Sequence, residues 1–307
     1  MSDFKVIEVE ANGVTFTAFE HGPQQDTAQD DTAQDDTAQL MLCLHGFPDD
    51  ATTWRRQMSY FAKAGYRVVA PYMRGYAPTS PAPTGTYQSA ALARDAAALI
   101  AVLSPDRPAV LVGHDWGAIA AYPTALLAPE RVEKLVTMSV PYGPAFGVAF
   151  ATSYEQQKRS WYIFLFQTML AEMMVGHDDQ RFLRNLWRDW SPGWDFSQEE
   201  IAPVLETFAR PGVLTAALAY YRCMLDPNLQ DPALMTEQVR DGIEPVLVPT
   251  LYMHGDQDGC VGLEMAQGME ASFPAGLTRC VVEGAGHFLH REKPDVVNAQ
   301  ILRFLGK

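Results

Sequence analysis

The sequence predicts an α/β fold with a mostly parallel central sheet flanked by helices and an inserted helical cap. Apolar runs of strand length alternate with helical stretches over residues 40–140 and again over 250–307. This alternation is typical of a parallel sheet built from βαβ units. Residues 141–245 instead form a helical pattern rich in aromatic residues and interrupted by prolines. We therefore assign residues 1–140 and 246–307 to a core and residues 141–245 to a cap.

The chain begins with a predicted hairpin, which a polar repeat follows. Residues 4–10 and 14–20 alternate between apolar and polar around Asn12-Gly13, a strong signal for a tight hairpin turn. Residues 23–39 then contain a tandem Asp-Thr-Ala-Gln-Asp pattern with almost nothing to bury. We expect this segment to be a flexible low-complexity insertion at the surface of the core.

The parallel part of the sheet is predicted from short apolar runs. Residues Leu40–Leu44 are apolar throughout, as expected for a strand that is covered on both faces. The strands predicted after it are 67–71, 109–112, 134–140, 250–254 and 278–282, and the predicted core helices are 52–64, 87–103, 117–127, 263–272 and 294–305. Within the cap, helix boundaries are expected at Pro192, Pro211, Pro227 and Pro232.

Composition and charge exclude several classes of function. The chain has 307 residues, 48% of them hydrophobic and 20% charged, which is ordinary for a globular protein. Its formal net charge of −14 disfavours contact with phosphate backbones, so no nucleic-acid partner is expected. No apolar run is long enough to span a membrane, and the first residues lack the apolar stretch of a secretory signal. We therefore expect a cytoplasmic protein that has no membrane partner.

The cysteines do not form a metal-binding pattern. Cys43, Cys223, Cys260 and Cys280 are widely spaced and include no CxxC pair. Cys43 and Cys280 lie in strand-like apolar runs, where a small buried apolar residue is the simplest interpretation. No metal ion and no cofactor is expected.

The segment from Val110 to Gly117 carries the main chemical signal. An apolar strand leads into Gly113-x-Asp115-x-Gly117 and then into a helix, which is the nucleophile elbow pattern with aspartate where many hydrolases have serine. The two glycines allow a sharp turn with a strained central residue, and the helix N-terminus favours negative charge. The simpler alternative is an ordinary strand–turn–helix junction with Asp115 as the helix cap.

A backbone oxyanion hole is expected beside Asp115. The strand Leu40–Leu44 ends in His45-Gly-Phe-Pro48, and in such a fold the loop at this point supplies one N–H group. Phe47 and Trp116 are therefore the expected donors. Because the turn is tight, we also expect a cis peptide bond between Phe47 and Pro48.

An acid and a base are expected at the ends of later strands, where open α/β sheets place their sites. Asp256 and Asp258 are the candidates for the acid, and His287 and His290 are the candidates for the base. We prefer His287 because it follows a flexible glycine-containing loop, whereas His290 leads into the last helix. The remaining histidines, including His114 and His254, are interpreted as structural or solvated.

These motifs together resemble the epoxide hydrolase branch of the α/β-hydrolase superfamily, over nearly the whole chain except residues 23–39. The matching segments are His45-Gly-Phe-Pro48, Trp54-Arg-Arg-Gln57, Arg74-Gly-Tyr-Ala-Pro-Thr-Ser80, Gly113-His-Asp-Trp-Gly117, Gly255-x-x-Asp258 and Gly284-x-Gly-His287. The spacing in the family selects Asp258 as the acid. The family's other position for the acid reads Val140-Pro-Tyr142 and offers no carboxylate, and Ala77 stands where relatives often have glycine.

The resemblance also implies two cap tyrosines that donate to an epoxide oxygen. Tyr162-x-x-x-Phe-Gln167 matches one of the family's segments, and Tyr221-Arg222 matches the other. Tyr154 and Tyr220 are nearby alternatives, and tyrosine is also common in aromatic packing.

The function implied by the resemblance is hydrolysis of a small apolar epoxide to a vicinal diol. Asp115 would form an alkyl ester, which His287 and Asp258 would hydrolyse by activating water. A haloalkane dehalogenase is the nearest alternative, because it also uses an aspartate nucleophile with a histidine and an acid. Trp116 could donate to a halide, although Phe47 stands where an asparagine is often found. A fluoroacetate dehalogenase is disfavoured, because it would carry arginine directly after the nucleophile. A ligand-binding receptor is disfavoured too, because it need not keep all of Asp115, His287 and Asp258. The oligomeric state stays open, with a homo-oligomer as one alternative.

Overall fold

A computed structural model describes residues 4–23 and 38–307 of the chain. Its strands are β1 Lys5–Ala11, β2 Val14–His21, β3 Gln39–Leu44, β4 Tyr66–Pro71, β5 Ala109–His114, β6 Val132–Met138, β7 Thr250–Gly255 and β8 Leu277–Val282. They form one eight-stranded sheet in the order β1-β2-β4-β3-β5-β6-β7-β8. Most of the insertion predicted at residues 23–39 falls at residues 24–37, outside the described residues, whereas Gln39 is the first residue of β3.

The predicted hairpin is confirmed. β1 and β2 pair antiparallel with Ala11 opposite Val14, and Asn12 and Gly13 both have positive φ, at 48° and 73°. Positive φ at both central residues is what a type I′ hairpin turn requires. β2 also pairs antiparallel with β4, whereas all later pairs are parallel. The sheet is therefore mostly parallel, as the sequence predicts.

The helices lie in two groups along the chain. They are α1 Arg55–Lys63, α2 Ser89–Leu103, α3 Trp116–Leu127, α4 Ala145–Thr152, α5 Tyr154–Arg159, α6 Trp161–Phe166, α7 Ala171–Trp190, α8 Gln198–Phe208, α9 Val213–Leu225, α10 Met235–Gln238, α11 Leu289–Glu292 and α12 Pro294–Leu305. Helices α4–α10 lie between β6 and β7, where the sequence predicts the cap. The limits of the cap at residues 141 and 245 stay a prediction.

The central strands are buried because helices pack on the sheet. Every residue of β5 and β7 is buried, because α1 packs with α12 and α2 packs with α3 to cover the sheet. Within the described ranges, no helix is both long enough and apolar enough to cross a membrane.

Three sequence-based expectations are wrong. Residues 263–272 form two short 3₁₀ turns, Leu263–Ala266 and Met269–Ser272, because Gly268 between them has a φ of 79° and stops a continuous helix. β6 ends at Met138 instead of residue 140, because Ser139 has a φ of 68°. Cys280 is only partly buried because β8 lies at the sheet edge, whereas Cys43 in β3 is fully buried.

Candidate active site

Asp115 lies in a sharp turn between β5 and α3, with a φ of 52° and a ψ of −118°. The turn is possible because both flanking glycines meet backbone. A Cβ atom on Gly117 would overlap the carbonyl of Leu44, and one on Gly113 would overlap the carbonyl of Gly117. The sequence pattern is therefore a true elbow, with Asp115 strained at its tip.

The loop after β3 contacts the carboxylate of Asp115 directly. The backbone N–H of Phe47 donates to Asp115 Oδ1 at 2.7 Å. A Cβ atom on Gly46 would overlap the same carboxylate, so the loop can approach this closely only with glycine there. The Phe47–Pro48 peptide bond is cis, as predicted. Trp116, the other expected oxyanion donor, is the first residue of α3 and follows Asp115 directly.

An imidazole lies between two carboxylates. His287 Nδ1 is 2.9 Å from Asp258 Oδ2, and His287 Nε2 is 3.5 Å from Asp115 Oδ2. Asp258 Oδ1 accepts the backbone N–H groups of Cys260 at 2.7 Å and Val261 at 2.9 Å. Asp258 is thus held by the backbone of its own loop, and it fixes the orientation of the ring toward Asp115.

The alternative acid and base lie elsewhere. Asp256 is exposed and accepts the N–H of Gly284 at 2.7 Å. His290 is buried beside Thr53, whose hydroxyl is 2.6 Å from His290 Nε2. The structure therefore brings Asp258 and His287 to Asp115, rather than the other two residues.

The two carboxylates control the charge of the imidazole. Burial alone would lower the pKa of His287, but Asp258 and Asp115 outweigh it and raise that pKa to about 10. Burial would raise the pKa of Asp258, yet His287 and His254 together hold it below its usual value. Near neutral pH the arrangement is therefore an imidazolium between two carboxylates, with Nε2–H directed at Asp115.

The two predicted cap tyrosines meet over Asp115. Tyr162 comes from α6 and Tyr221 from α9, with ring centroids 5.7 Å apart. Together with Asp115 they line a cavity of about 190 Å³. The hydroxyl of Tyr162 is 3.4 Å from Cys260 Sγ, and within the described part of the chain the buried hydroxyl of Tyr221 has no hydrogen-bond partner. Burial raises the pKa of both phenols well above 10, so both keep their protons.

The neighbouring tyrosines are differently placed. Tyr154 is 71% exposed, and Tyr220 donates its hydroxyl to the carbonyl of Arg74 at 2.7 Å. Neither phenol is free to donate into the cavity beside Asp115.

Two cap residues that the sequence analysis missed hold the acid and base loops together. The carbonyl of Trp190, the last residue of α7, accepts the N–H groups of Gly259 and His287, each at 3.0 Å. Next to it, Ser191 Oγ donates to Glu292 Oε1 at 2.6 Å. Glu292 Oε2 in turn accepts the N–H of Gly286 at 2.8 Å. Backbone acceptors leave no pattern in a sequence, so the bonds that Trp190 and Ser191 make to these loops had no signal there.

The carbonyl of His287 is held from the core side. His114 Nε2 lies 2.8 Å from it, and the hydroxyl of Ser139 donates to it at 2.7 Å. Burial, followed by the neighbouring His287, lowers the pKa of His114 to about 3, so this ring is neutral and donates through Nε2. His114 was predicted as structural or solvated, and its buried position makes it structural.

Comparison with known proteins identifies the family. Residues 39–294 match the model of the α/β-hydrolase fold family. Epoxide hydrolase 3 of Xenopus tropicalis is 31% identical over 273 residues, which cover 87% of this chain and 71% of that protein. The chain belongs to the epoxide hydrolase branch of the α/β-hydrolase superfamily.

Other members of the branch are similar at the same level. Epoxide hydrolase 1 of Caenorhabditis elegans is 31% identical over 275 residues, and the match covers 87% of this chain but only 65% of that longer relative. The crystal structure of the Bacillus megaterium epoxide hydrolase in complex with an inhibitor superposes with a TM-score of 0.80 at 26% identity. That superposition covers 98% of this chain and 100% of the other. The superfamily resemblance stated from the motifs is therefore confirmed.

Proposed function

We propose that the chain hydrolyses an epoxide to a vicinal diol through an alkyl ester on Asp115. One observation carries the proposal: two buried, protonated phenols line the same cavity as the carboxyl group of Asp115 at the tip of a nucleophile elbow. An epoxide needs both, because a nucleophile must attack carbon while a donor stabilises the oxygen that leaves it. The names of the relatives give the same reaction for those proteins.

In the first step, Asp115 attacks an epoxide carbon and the carbon–oxygen bond breaks. Tyr162 and Tyr221 donate to the emerging alkoxide, which stays attached to the carbon skeleton. Asp115 needs no base, unlike a serine nucleophile, because a carboxylate attacks without first losing a hydroxyl proton. The alkoxide takes a proton from one of the phenols, and the imidazolium of His287 gives up a proton that restores the phenol, so that His287 becomes neutral.

Ester formation then changes the charge around His287. The esterified Asp115 is neutral, so one of the two carboxylates that raise the pKa of His287 is gone. The imidazole, still oriented by Asp258, becomes a base that takes a proton from water. The resulting hydroxide attacks the carbonyl carbon of Asp115, and the N–H groups of Phe47 and Trp116 stabilise the oxyanion. Collapse releases the diol and regenerates the carboxylate.

The direct test compares substrates for the two closest chemistries. The purified protein should convert a simple aryl epoxide to its diol, measured by chromatography. Release of bromide from a bromoalkane of similar size should be at least about tenfold less efficient in kcat/KM, because the two phenols are matched to a retained oxygen. Bromide release without diol formation would contradict the proposal and favour the dehalogenase alternative.

The hydrogen bond from Ser191 to Glu292 gives a second prediction. Ser191→Ala removes the bond to Glu292 and should slow ester hydrolysis about tenfold, since a lost hydrogen bond to a charged group has roughly that effect. The rate of ester formation should stay within about twofold of the parent rate, because Asp115 and the phenols are unchanged. Rapid-quench single turnovers separate the two steps. Ser197→Ala, which removes a capping serine of α8 in the same cap, is the matched control. Equal slowing of both steps would show that Ser191 acts only on folding.

A further inference from the structure

Asp241 is a second carboxylate in the cavity that the proposed mechanism does not use. It lies between α10 and β7 and lines the cavity of about 190 Å³ that contains Asp115. A second cavity of about 210 Å³ adjoins the first, and the two share Trp116, Ile119, Met224 and Asp241 in their walls. Asp241 therefore faces the space that a bound substrate occupies.

This carboxylate has no cationic partner. Ser89 Oγ donates to Asp241 Oδ2 at 2.8 Å, and the backbone N–H of Gly242 adds a further bond. No lysine, arginine or histidine within residues 4–23 and 38–307 forms an ion pair with Asp241, and the adjacent Arg240 is paired with Glu244 at 2.8 Å. Burial raises the pKa of Asp241 to about 6 against the effect of Ser89 and Gly242, so at neutral pH it is mostly ionised. A partly buried charge without a partner is unfavourable unless a ligand supplies one.

The polar side chains around the second cavity are bonded to one another and to the backbone. Gln238 Nε2 donates to Ser89 Oγ at 2.8 Å, and Gln88 Nε2 donates to Gln238 Oε1 at 3.4 Å. Gln230 Nε2 donates to a backbone carbonyl at 2.7 Å. Around this cavity, among the described residues, the carboxylate of Asp241 and Gln230 Oε1 are acceptors that can take a further hydrogen bond. A ligand group that reaches the carboxylate of Asp241 is therefore expected to donate hydrogen bonds, because an ionised carboxylate only accepts them.

The rest of the first cavity offers little other polar recognition. The hydroxyl of Tyr122 donates to the carbonyl of Val140 at 3.0 Å, and that of Tyr142 donates to the carbonyl of Glu244 at 2.7 Å. The remaining lining includes many apolar side chains, among them Ile119, Val140, Phe146, Ile163, Met224 and Val261. Among the described residues of this lining, apart from the catalytic groups, Cys260 and these two bonded phenols, Asp241 is the remaining side chain with a polar group.

We propose that Asp241 is a substrate-binding subsite for a hydrogen-bond donor at the far end of an epoxide with an apolar middle. The donor is a hydroxyl or an ammonium group, and either forms a charge-assisted bond to the carboxylate. A substrate ending in a carboxylate is disfavoured by repulsion. This inference rests on the proposed function and changes its expected substrate from an apolar epoxide to one with a polar end.

The test uses terminal epoxides of three chain lengths, each ending in methyl, hydroxyl, ammonium or carboxylate. In the parent protein, the best ammonium or hydroxyl substrate should exceed its methyl counterpart in kcat/KM about tenfold or more, as expected for a hydrogen bond to a charged group. Asp241→Asn should remove the advantage of the ammonium group and leave turnover of the methyl series unchanged. Asp295→Asn, at an exposed carboxylate on α12, should leave all of these ratios as in the parent.

Binding of the corresponding diols, measured by calorimetry, gives a readout that does not depend on turnover. Tighter binding of the ammonium or hydroxyl diol to the parent, lost in Asp241→Asn, supports the subsite even if no epoxide is converted. Equal kcat/KM and equal Kd across the end groups, or a preference for carboxylate, would overturn it. If the methyl series is converted and no end group is preferred, the proposed epoxide hydrolysis is supported and only the Asp241 subsite is rejected.

Discussion

Replacing both Tyr162 and Tyr221 with phenylalanine should abolish ester formation while the protein stays folded. Each single change should slow ester formation about 10²–10³-fold, the usual effect of losing one positioned donor in a water-poor site. The change removes only the hydroxyl, and both rings keep their packing against each other at 5.7 Å. The rate of ester formation under single-turnover conditions, followed by rapid quench and mass spectrometry, is the measurement.

The reason for so large an effect is the state of the two phenols. Both are buried, and burial raises the pKa of each well above 10, so each keeps its proton and can donate near neutral pH. In the absence of both, the alkoxide would emerge in the cavity without the two hydroxyl donors that line it beside Asp115. Tyr154→Phe is the matched control, because that phenol is 71% exposed. A double variant that opens epoxides at the parent rate would show that the tyrosines are only packing residues.

Two features were predictable from the residues alone because they place local demands on the backbone, whereas Asp258, Tyr162 and Tyr221 were selected by the family resemblance. Asp115 was identifiable because a turn with a φ of 52° between β5 and α3 needs close-packed glycines on both sides, and glycines are visible in a sequence. The hairpin at Asn12-Gly13 was identifiable for the same reason. In both cases the residue types in the sequence indicate the backbone conformation at that position.

His287 was preferred for a reason that the structure corrects. We expected the glycine before it to give a flexible loop, whereas a Cβ atom on Gly286 would lie 2.5 Å from the Cα of Ser191. The glycine is thus needed for close packing between the base loop and the cap. Sequence alone could not provide this reason, because Ser191 and Gly286 are far apart along the chain.

The features that were missed depend on tertiary contacts alone. The carbonyl of Trp190 binds two loops, yet any residue type has a carbonyl. Asp241 resembles a solvated surface carboxylate in the sequence, and only the fold sets it beside the cavity without a cation. The helix expected at 263–272 is a different case, because Gly268 with a φ of 79° divides the segment into two 3₁₀ turns.

The second large effect concerns His287→Gln. Without the imidazole, water activation should fail while Asp115 still attacks, so a covalent ester should accumulate and steady-state turnover should fall by about 10³-fold or more. Opening an epoxide expels nothing, because the leaving oxygen stays on the carbon skeleton. The trapped protein should therefore gain the full mass of the epoxide, whereas a haloalkane would add its mass less that of the hydrogen halide. His177→Gln, at an exposed histidine in α7, is the control and should trap nothing.

The position of the trapped group tests the nucleophile itself. Peptide mapping of His287→Gln should locate the adduct on Asp115, the carboxylate 3.5 Å from the ring that was removed. In the parent protein, a single turnover in ¹⁸O-labelled water should label Asp115 and leave the diol largely unlabelled, because the new oxygen of the diol comes from the carboxylate. Label in the first-turnover diol would mean that water attacks the epoxide directly. Asp115 would then be a base or an electrostatic group, and the ester mechanism would be wrong.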